Sequence, residues 1–197
     1  ITWKARSMLA QTKAGAEKEG YKVIYGDTDS IMVVMDCNVK TAFPRATRLA
    51  GQLSDLFPES VVLEFEKIYA PWLLVGRKMY AGRMYERVED IGILDVKGVA
   101  TKRRDCPPWC AQVQKSLFKA MFFTEQLNGE RPQDACIRMI SEALNRMMNH
   151  NVGIEELQVT RQMKSIKGYK NLRQPHLRVT AMKNERMPGS GAQEGER

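Results

Sequence analysis

The sequence predicts an α+β fold. An antiparallel sheet, with a carboxylate-bearing β-hairpin and helices on one face, is followed by a mainly helical part. Three observations predict it. Residues 25–30 read Tyr25-Gly26-Asp27-Thr28-Asp29-Ser30, with Val23-Ile24 leading in and Ile31-Met32-Val33-Val34 leading out. Short β-rich runs then recur as far as Val96. Beyond Cys106-Pro107-Pro108 the composition changes, and apolar residues return at helical spacing.

Taken in order, residues 3–19 are rich in helix formers and Gly20 stops them. The hairpin spans 21–36, with one strand near 21–26 and the other near 30–36. After Cys37-Asn38, the residues Val39, Phe43, Ala46, Leu49, Ala50, Leu53 and Leu56 form the apolar stripe of a helix over about 39–56. Pro44 leaves its start open between residue 39 and the proline itself, since proline is favoured at a first helical position. Pro58 ends the helix. Val61 through Tyr69 alternates over part of its length and reads as a strand. Trp72–Val75, Met79–Tyr85 and Ile93–Val96 read as further short strands, with turns near Gly76 and Glu89-Asp90.

Two helical stretches follow, Trp109–Gln126 and Pro132–Asn149, joined by a turn at Asn128-Gly129. The first presents Val113, Leu117, Met121 and Phe122; the second presents Ile137, Ile140, Leu144 and Met147-Met148. Both stripes read as core. Val152–Met163 alternates at Leu157, Val159, Arg161 and Met163 as a returning strand. From Met187 the chain is rich in Pro, Gly, Ser and Glu and is expected to be disordered.

At 197 residues the chain is long enough to bury a real core. No apolar run approaches the roughly 20 residues needed to cross a bilayer, so no membrane partner is expected. The cysteines at 37, 106, 110 and 136 lack zinc-site spacing and read as reduced thiols of an intracellular protein. The first residues, Ile1-Thr2-Trp3-Lys4, resemble neither a signal peptide nor an initiator-methionine start, and the chain is expected to begin within a larger protein. Net charge is +8, and from Leu157 onward nine Lys or Arg face three Glu. Such a surface suits a phosphate backbone, or is merely a soluble basic tail.

The chemistry lies at the hairpin tip. Side chains two apart on a strand share a face, so Asp27 and Asp29 can point the same way unless the turn breaks the alternation. Two carboxylates forced together repel unless a cation lies between them, and hard oxygen ligands favour Mg²⁺. That is the chemistry of two-metal phosphoryl transfer. The plainer alternative is an Asp-x-Asp pair that only solvates or caps its turn.

The hexapeptide between two apolar strands resembles the catalytic hairpin of B-family DNA polymerases, and further segments match that family in the same order. Leu63-Glu64-Phe65-Glu66-Lys67-Ile68-Tyr69 resembles the strand after the hairpin in replicative enzymes of the delta type. Arg77-Lys78-Met79-Tyr80-Ala81-Gly82 resembles a Lys-Lys-x-Tyr motif. Asp95-Val96-Lys97-Gly98 with Arg103-Arg104-Asp105 resembles the palm-to-thumb junction. Gln174-Pro175-His176 and Pro188-Gly189-Ser190 resemble a thumb segment.

The resemblance implies a partial palm over residues 1–105 and a partial thumb over 106–197 with a flexible end. It implies Asp27 and Asp29 as catalytic residues, with Asp27 and Glu66 as metal ligands of a two-metal Mg²⁺ site. Lys78, Tyr80, Lys97, Arg103 and Arg104 are implied as contacts to primer–template DNA. A minor-groove lysine accepts any correct base pair, because each presents acceptors at similar positions there, and the guanidinium fork matches phosphate oxygens. Deoxynucleoside triphosphates and the rest of the polymerase chain are the other partners, with room for a sliding clamp or processivity subunit. The family's other essential aspartate and its nucleotide-binding fingers helix lie upstream, so the fragment alone is expected to be inactive.

The sequence also departs from the family. Arg77 stands where the first lysine of the Lys-Lys-x-Tyr motif is usual, Ala100 stands where relatives tend to carry an acidic residue, and the Cys106-Pro107-Pro108 stretch is shortened. These departures bear on the DNA grip and leave both aspartates in place. The parent is expected in the nucleus, or at a cytoplasmic replication site if viral. A catalytically silent relative acting as a DNA-binding scaffold is the alternative function, and a palm-type nucleotidyl cyclase is a more distant one.

Overall fold

The computed structural model describes residues 2–99, 101, 106–160 and 162–194. The chain divides into two compact units, Ile1–Lys97 and Gly98–Arg197.

The first unit opens with helix α1, Thr2–Lys18. Strands β1, Val23–Asp27, and β2, Ser30–Val33, form an antiparallel hairpin in which Tyr25 faces Met32 and Asp27 faces Ser30. Helix α2, Val39–Ser54, packs its apolar stripe against α1. Ala16 of α1 is fully buried against Leu49 and Leu53, and Tyr21, Val23, Ile31 and Val33 close around them. This core fixes the root of the hairpin.

α2 starts at Val39 rather than at Pro44. Asn38 caps it, its side-chain oxygen accepting from both the amide and the hydroxyl of Thr41 at 2.9 Å. Such a cap satisfies an otherwise orphaned donor of the first turn. Pro44 is carried inside the helix.

The strand expected over 61–69 begins only at Ile68. Residues 61–67 do alternate in burial, but they have no ladder partner among the described residues. Their contacts go to α2 instead. The Leu63 amide donates to the Ser54 hydroxyl at 2.9 Å, and Phe65 meets Phe43 edge to face at 5.4 Å. A side-chain oxygen has taken the place of a strand.

Strands β3, Ile68–Gly76, β4, Met79–Tyr85, and β5, Ile93–Lys97, form a three-stranded antiparallel sheet in the order β3-β4-β5. The run expected at Trp72–Val75 is part of one longer strand, bulged between Tyr69 and Trp72 around Pro71. Gly82 is required at its place: an added Cβ would lie 2.8 Å from the Pro71 carbonyl oxygen and from the Tyr69 ring. The fold is thus α+β with antiparallel pairing, and the β1–β2 hairpin is a ladder separate from this sheet.

The second unit is mainly helical. Helix α3, Pro108–Phe122, buries Phe118 and Phe122, whose rings stack at 5.8 Å. A 3₁₀ turn, Thr124–Leu127, follows it. Asn128 and Gly129 both take left-handed conformations, and helix α4, Pro132–Met148, begins beyond them. Ala135 is the buried residue of α4. The stripe expected to be core is exposed, with Ile137 63% and Met148 76% accessible. Among the described residues that face of α4 has no covering element.

The strand expected over 152–163 is also corrected. Residues Ile154–Leu157 form a single helical turn, α5, and no ladder includes the described residues around it. Its first turn is closed by Glu156, which accepts from the Gly153 amide at 3.2 Å and pairs with Arg146 at 3.2 Å. Arg161 lies outside the described residues. Helix α6, Pro175–Arg186, follows, and the chain then turns back on it. The Ser190 hydroxyl donates to the Lys183 carbonyl, and the Gly191 amide donates to the Asn184 side chain.

These contacts predict opposite effects at the N-cap of α2 and at the proline inside it. Asn38→Ala should cost about 1 kcal/mol of stability in chemical denaturation. Pro44→Ala should cost nothing or stabilise, because it restores a helical donor. The reverse order would place the helix start at the proline.

Candidate active site

Asp27 is the last residue of β1, and Thr28 and Asp29 are the two residues of the turn. Strand alternation therefore stops at Asp27, and Asp29 belongs to the turn rather than to the strand face. The turn is tight. The Asp29 amide donates to the Asp27 carbonyl at 2.6 Å, and the Ser30 hydroxyl donates to the same carbonyl at 3.2 Å. Thr28 holds a φ of 55°, an outlier for a β-branched residue, in a class of conformations that cost about 1–3 kcal/mol.

A second hairpin tip meets the first. Arg77 and Lys78 form the turn between β3 and β4, and Lys78 is also left-handed at φ 61°. Its ammonium lies 2.8 Å from Asp27 Oδ1. Its backbone amide donates to the Tyr25 hydroxyl at 2.9 Å. Tyr25 and Asp27 stand two apart on β1, and both are half-buried while Ile24 and Gly26, which alternate with them, are exposed. One face of one strand thus holds both ends of a single lysine.

The charges respond accordingly. The hydrogen bond from Lys78 holds the Asp27 carboxyl below its ordinary value, helped by a bond from the Thr28 hydroxyl and by the charge of Arg77. Lys78 is raised in turn, chiefly by its bond to Asp27, with the field of Asp29 adding to it. Both groups are solvent-accessible, so the pair marks a site more than it stabilises the fold.

Behind Lys78 lies an aromatic cluster. The Tyr80 ring is 5.7 Å from Trp72, 6.0 Å from Tyr69 and 6.2 Å from Tyr25. The Tyr69 hydroxyl donates to Asp95 at 2.5 Å, and burial together with that bond drives the phenol pKa far upward. Tyr69 therefore remains a neutral donor. Lys97 lies directly across the ladder from Tyr80 and pairs with Asp95 at 3.5 Å. Tyr25 and Tyr80 sit together with Lys78, and Lys97 borders them. Trp72 and Asp95 also belong to this cluster; Trp72 carried no motif signal, Asp95 opened a recognised motif without an assigned role, and their strand positions opposite Gly82 are what places them.

Glu66 is exposed and pairs with Lys67 at 2.8 Å, at the end of the segment that runs along α2. Arg103 and Arg104 lie outside the described residues. The donors at the hairpin tip are hard oxygens and suit Mg²⁺ in type. They do not suffice in number, because no group of three potential metal-ligating side chains occurs among the described residues.

A pH titration tests the pair. The Asp27 carboxyl, followed by NMR, should titrate below its ordinary value of 3.8, and Lys78→Met should return it upward. Because the folded-state pKa is depressed, the pair's small contribution is present at neutral pH and is lost as pH falls through that value. An unchanged midpoint in the variant would mean the pair is not formed in solution.

Comparison with known proteins gives the family. The model of DNA polymerase family B matches residues 1–197. The DNA polymerase delta catalytic subunit of Drosophila melanogaster is 30% identical over 210 residues, covering 100% of this chain and 18% of that protein. The DNA polymerase of Paramecium bursaria Chlorella virus NY2A is 31% identical over 188 residues, covering 91% of this chain and 20% of that protein. The delta catalytic subunit of Schizosaccharomyces pombe is 33% identical over 174 residues, 82% of this chain and 15% of that protein. The chain spans a fifth or less of the length of these relatives. With a family match over its whole length, the chain belongs to DNA polymerase family B.

Proposed function

We propose that this chain is the carboxy-terminal part of the palm and much of the thumb of a template-directed DNA polymerase. The observation that carries the reading is Asp27 at a strained hairpin tip, faced at 2.8 Å by Lys78 from a second hairpin, in a family B chain. In the reaction, a primer 3′-hydroxyl attacks the α-phosphate of a deoxynucleoside triphosphate in line, and pyrophosphate leaves.

Asp27 presents a carboxylate held in its charged form, ready to ligate a divalent cation. Mg²⁺, when bound, supplies the positive charge that lowers the pKa of the attacking hydroxyl and steadies the leaving oxygens. Asp29 adds negative charge beside it. Glu66 is an accessory carboxylate of the same kind. Lys78 reaches the duplex, Tyr80 steadies the primer end on its packed aromatic base, and Lys97 adds a cation beside it. Arg103 and Arg104 supply further contacts to phosphate. An upstream aspartate of the parent chain completes the metal cage.

Primer–template DNA, deoxynucleoside triphosphates and the remainder of the polymerase are the partners, with a sliding clamp as a further one. The nucleus is the expected setting, or a viral replication site in the cytoplasm. No helix among the described residues is long and apolar enough to cross a membrane.

In Mg²⁺-dependent primer extension by the full-length parent, Asp27→Asn should reduce the rate by several orders of magnitude while primer–template binding persists. The isolated chain should extend no primer. Synthesis by the isolated chain that Asp27→Ala removes would overturn the incomplete-cage reading. A parent that binds primer–template and never extends it would favour the silent scaffold.

A further inference from the structure

We propose that Tyr25 is a positioning residue for the duplex-binding lysine: its hydroxyl fixes the Arg77–Lys78 turn over the carboxylate hairpin, so that Lys78 meets primer–template DNA from a set place. The proposal rests on the polymerase reading for its partner and adds a residue and a role to it.

The geometry divides the hold on Lys78 into two parts. The Tyr25 hydroxyl accepts from the backbone amide of Lys78 at 2.9 Å, and Asp27 accepts from its ammonium at 2.8 Å. The ion pair exchanges readily, because the Lys78 side chain is 63% exposed and a solvated pair swaps partners. The bond to the amide engages the backbone and does not require the ammonium to stay on Asp27. It also bears on a backbone that needs support, since φ is 61° at Lys78 and the left-handed region disfavours a side chain.

Tyr25 is itself immobilised. Its ring packs 6.2 Å from both Trp72 and Tyr80, so the hydroxyl cannot swing away without disturbing the cluster. The same ring therefore couples the Lys78 turn to Tyr80, two residues further along β4. A phenylalanine at position 25 keeps the packing and removes only the acceptor.

The test is a double-mutant cycle in the full-length polymerase. Primer–template dissociation constants are measured by fluorescence anisotropy, with Ca²⁺ replacing Mg²⁺ to prevent turnover. Tyr25→Phe should weaken binding about fivefold, equivalent to about 1 kcal/mol for one hydrogen bond. The KM for deoxynucleoside triphosphate at saturating primer–template should change less than twofold. In a Lys78→Ala background the same substitution should change binding less than twofold, because no ammonium remains to be positioned.

Equal weakening in both backgrounds would overturn the proposal, since the hydroxyl would then act apart from Lys78. A lowered Tm with unchanged DNA affinity would overturn it too, leaving the hydroxyl a purely structural role. Failure of the underlying reading looks different: the wild-type parent itself would never extend primer–template, whereas Lys78→Ala that binds and extends like the wild type would remove the lysine's DNA role and the positioning role with it.

Discussion

The first unit is organised around one lysine held at both ends. Asp27 takes the ammonium of Lys78 and Tyr25 takes its amide, and both come from the same face of β1. Neither bond is strong alone, because the ion pair is solvated and a hydrogen bond contributes about 1 kcal/mol. Their effect is geometric. Two hairpins that share no backbone ladder are brought tip to tip, and the resulting site carries two left-handed residues, Thr28 and Lys78, one at each tip. Strain of that kind persists only where the surroundings over-determine the backbone. Here the turn bonds around Asp27 and the aromatic base behind Lys78 supply the constraint.

The support extends backwards in layers. Gly82 leaves room for Tyr69 and Trp72 to lie against β4, Asp95 fixes the Tyr69 hydroxyl, and the packed rings set Tyr80 beside Tyr25. On the hairpin side, Ala16, Leu49 and Leu53 clamp the strand roots. The charged groups at the tips thus stand on rigid elements while remaining accessible to solvent. Accessibility is what the proposed role toward DNA and a metal ion requires, and rigidity is what would keep a carboxylate and a cation within ångströms of where they act.

Much of this was legible in the sequence because it follows from local rules. The hexapeptide with apolar flanks specified a hairpin, and the strands around Met79–Tyr85 and Ile93–Val96 and the helices from Val39, Trp109 and Pro132 appear where their periodicity places them. The misreadings share a cause. Val61–Lys67 alternates as a strand does, yet Ser54 intercepts the Leu63 amide and no strand among the described residues pairs with it. Val152–Met163 also alternates, but Gly153 and Glu156 close a helical turn within it. Period alone reports which faces are apolar; it does not report what lies opposite. The same limit explains α4, where Ile137, Ile140 and Leu144 have the spacing of a core stripe and no element to cover them among the described residues. The contacts of Tyr25 with Lys78 span 53 positions and are invisible to any local rule.

The most direct measurement is the structure of the full-length polymerase by cryo-electron microscopy, with and without primer–template. In both states the Tyr25 hydroxyl should stay within hydrogen-bonding distance of the Lys78 amide, while the Lys78 ammonium lies on Asp27 in one and on the duplex in the other. An Arg77–Lys78 turn that stands away from Tyr25 in both states would contradict the account.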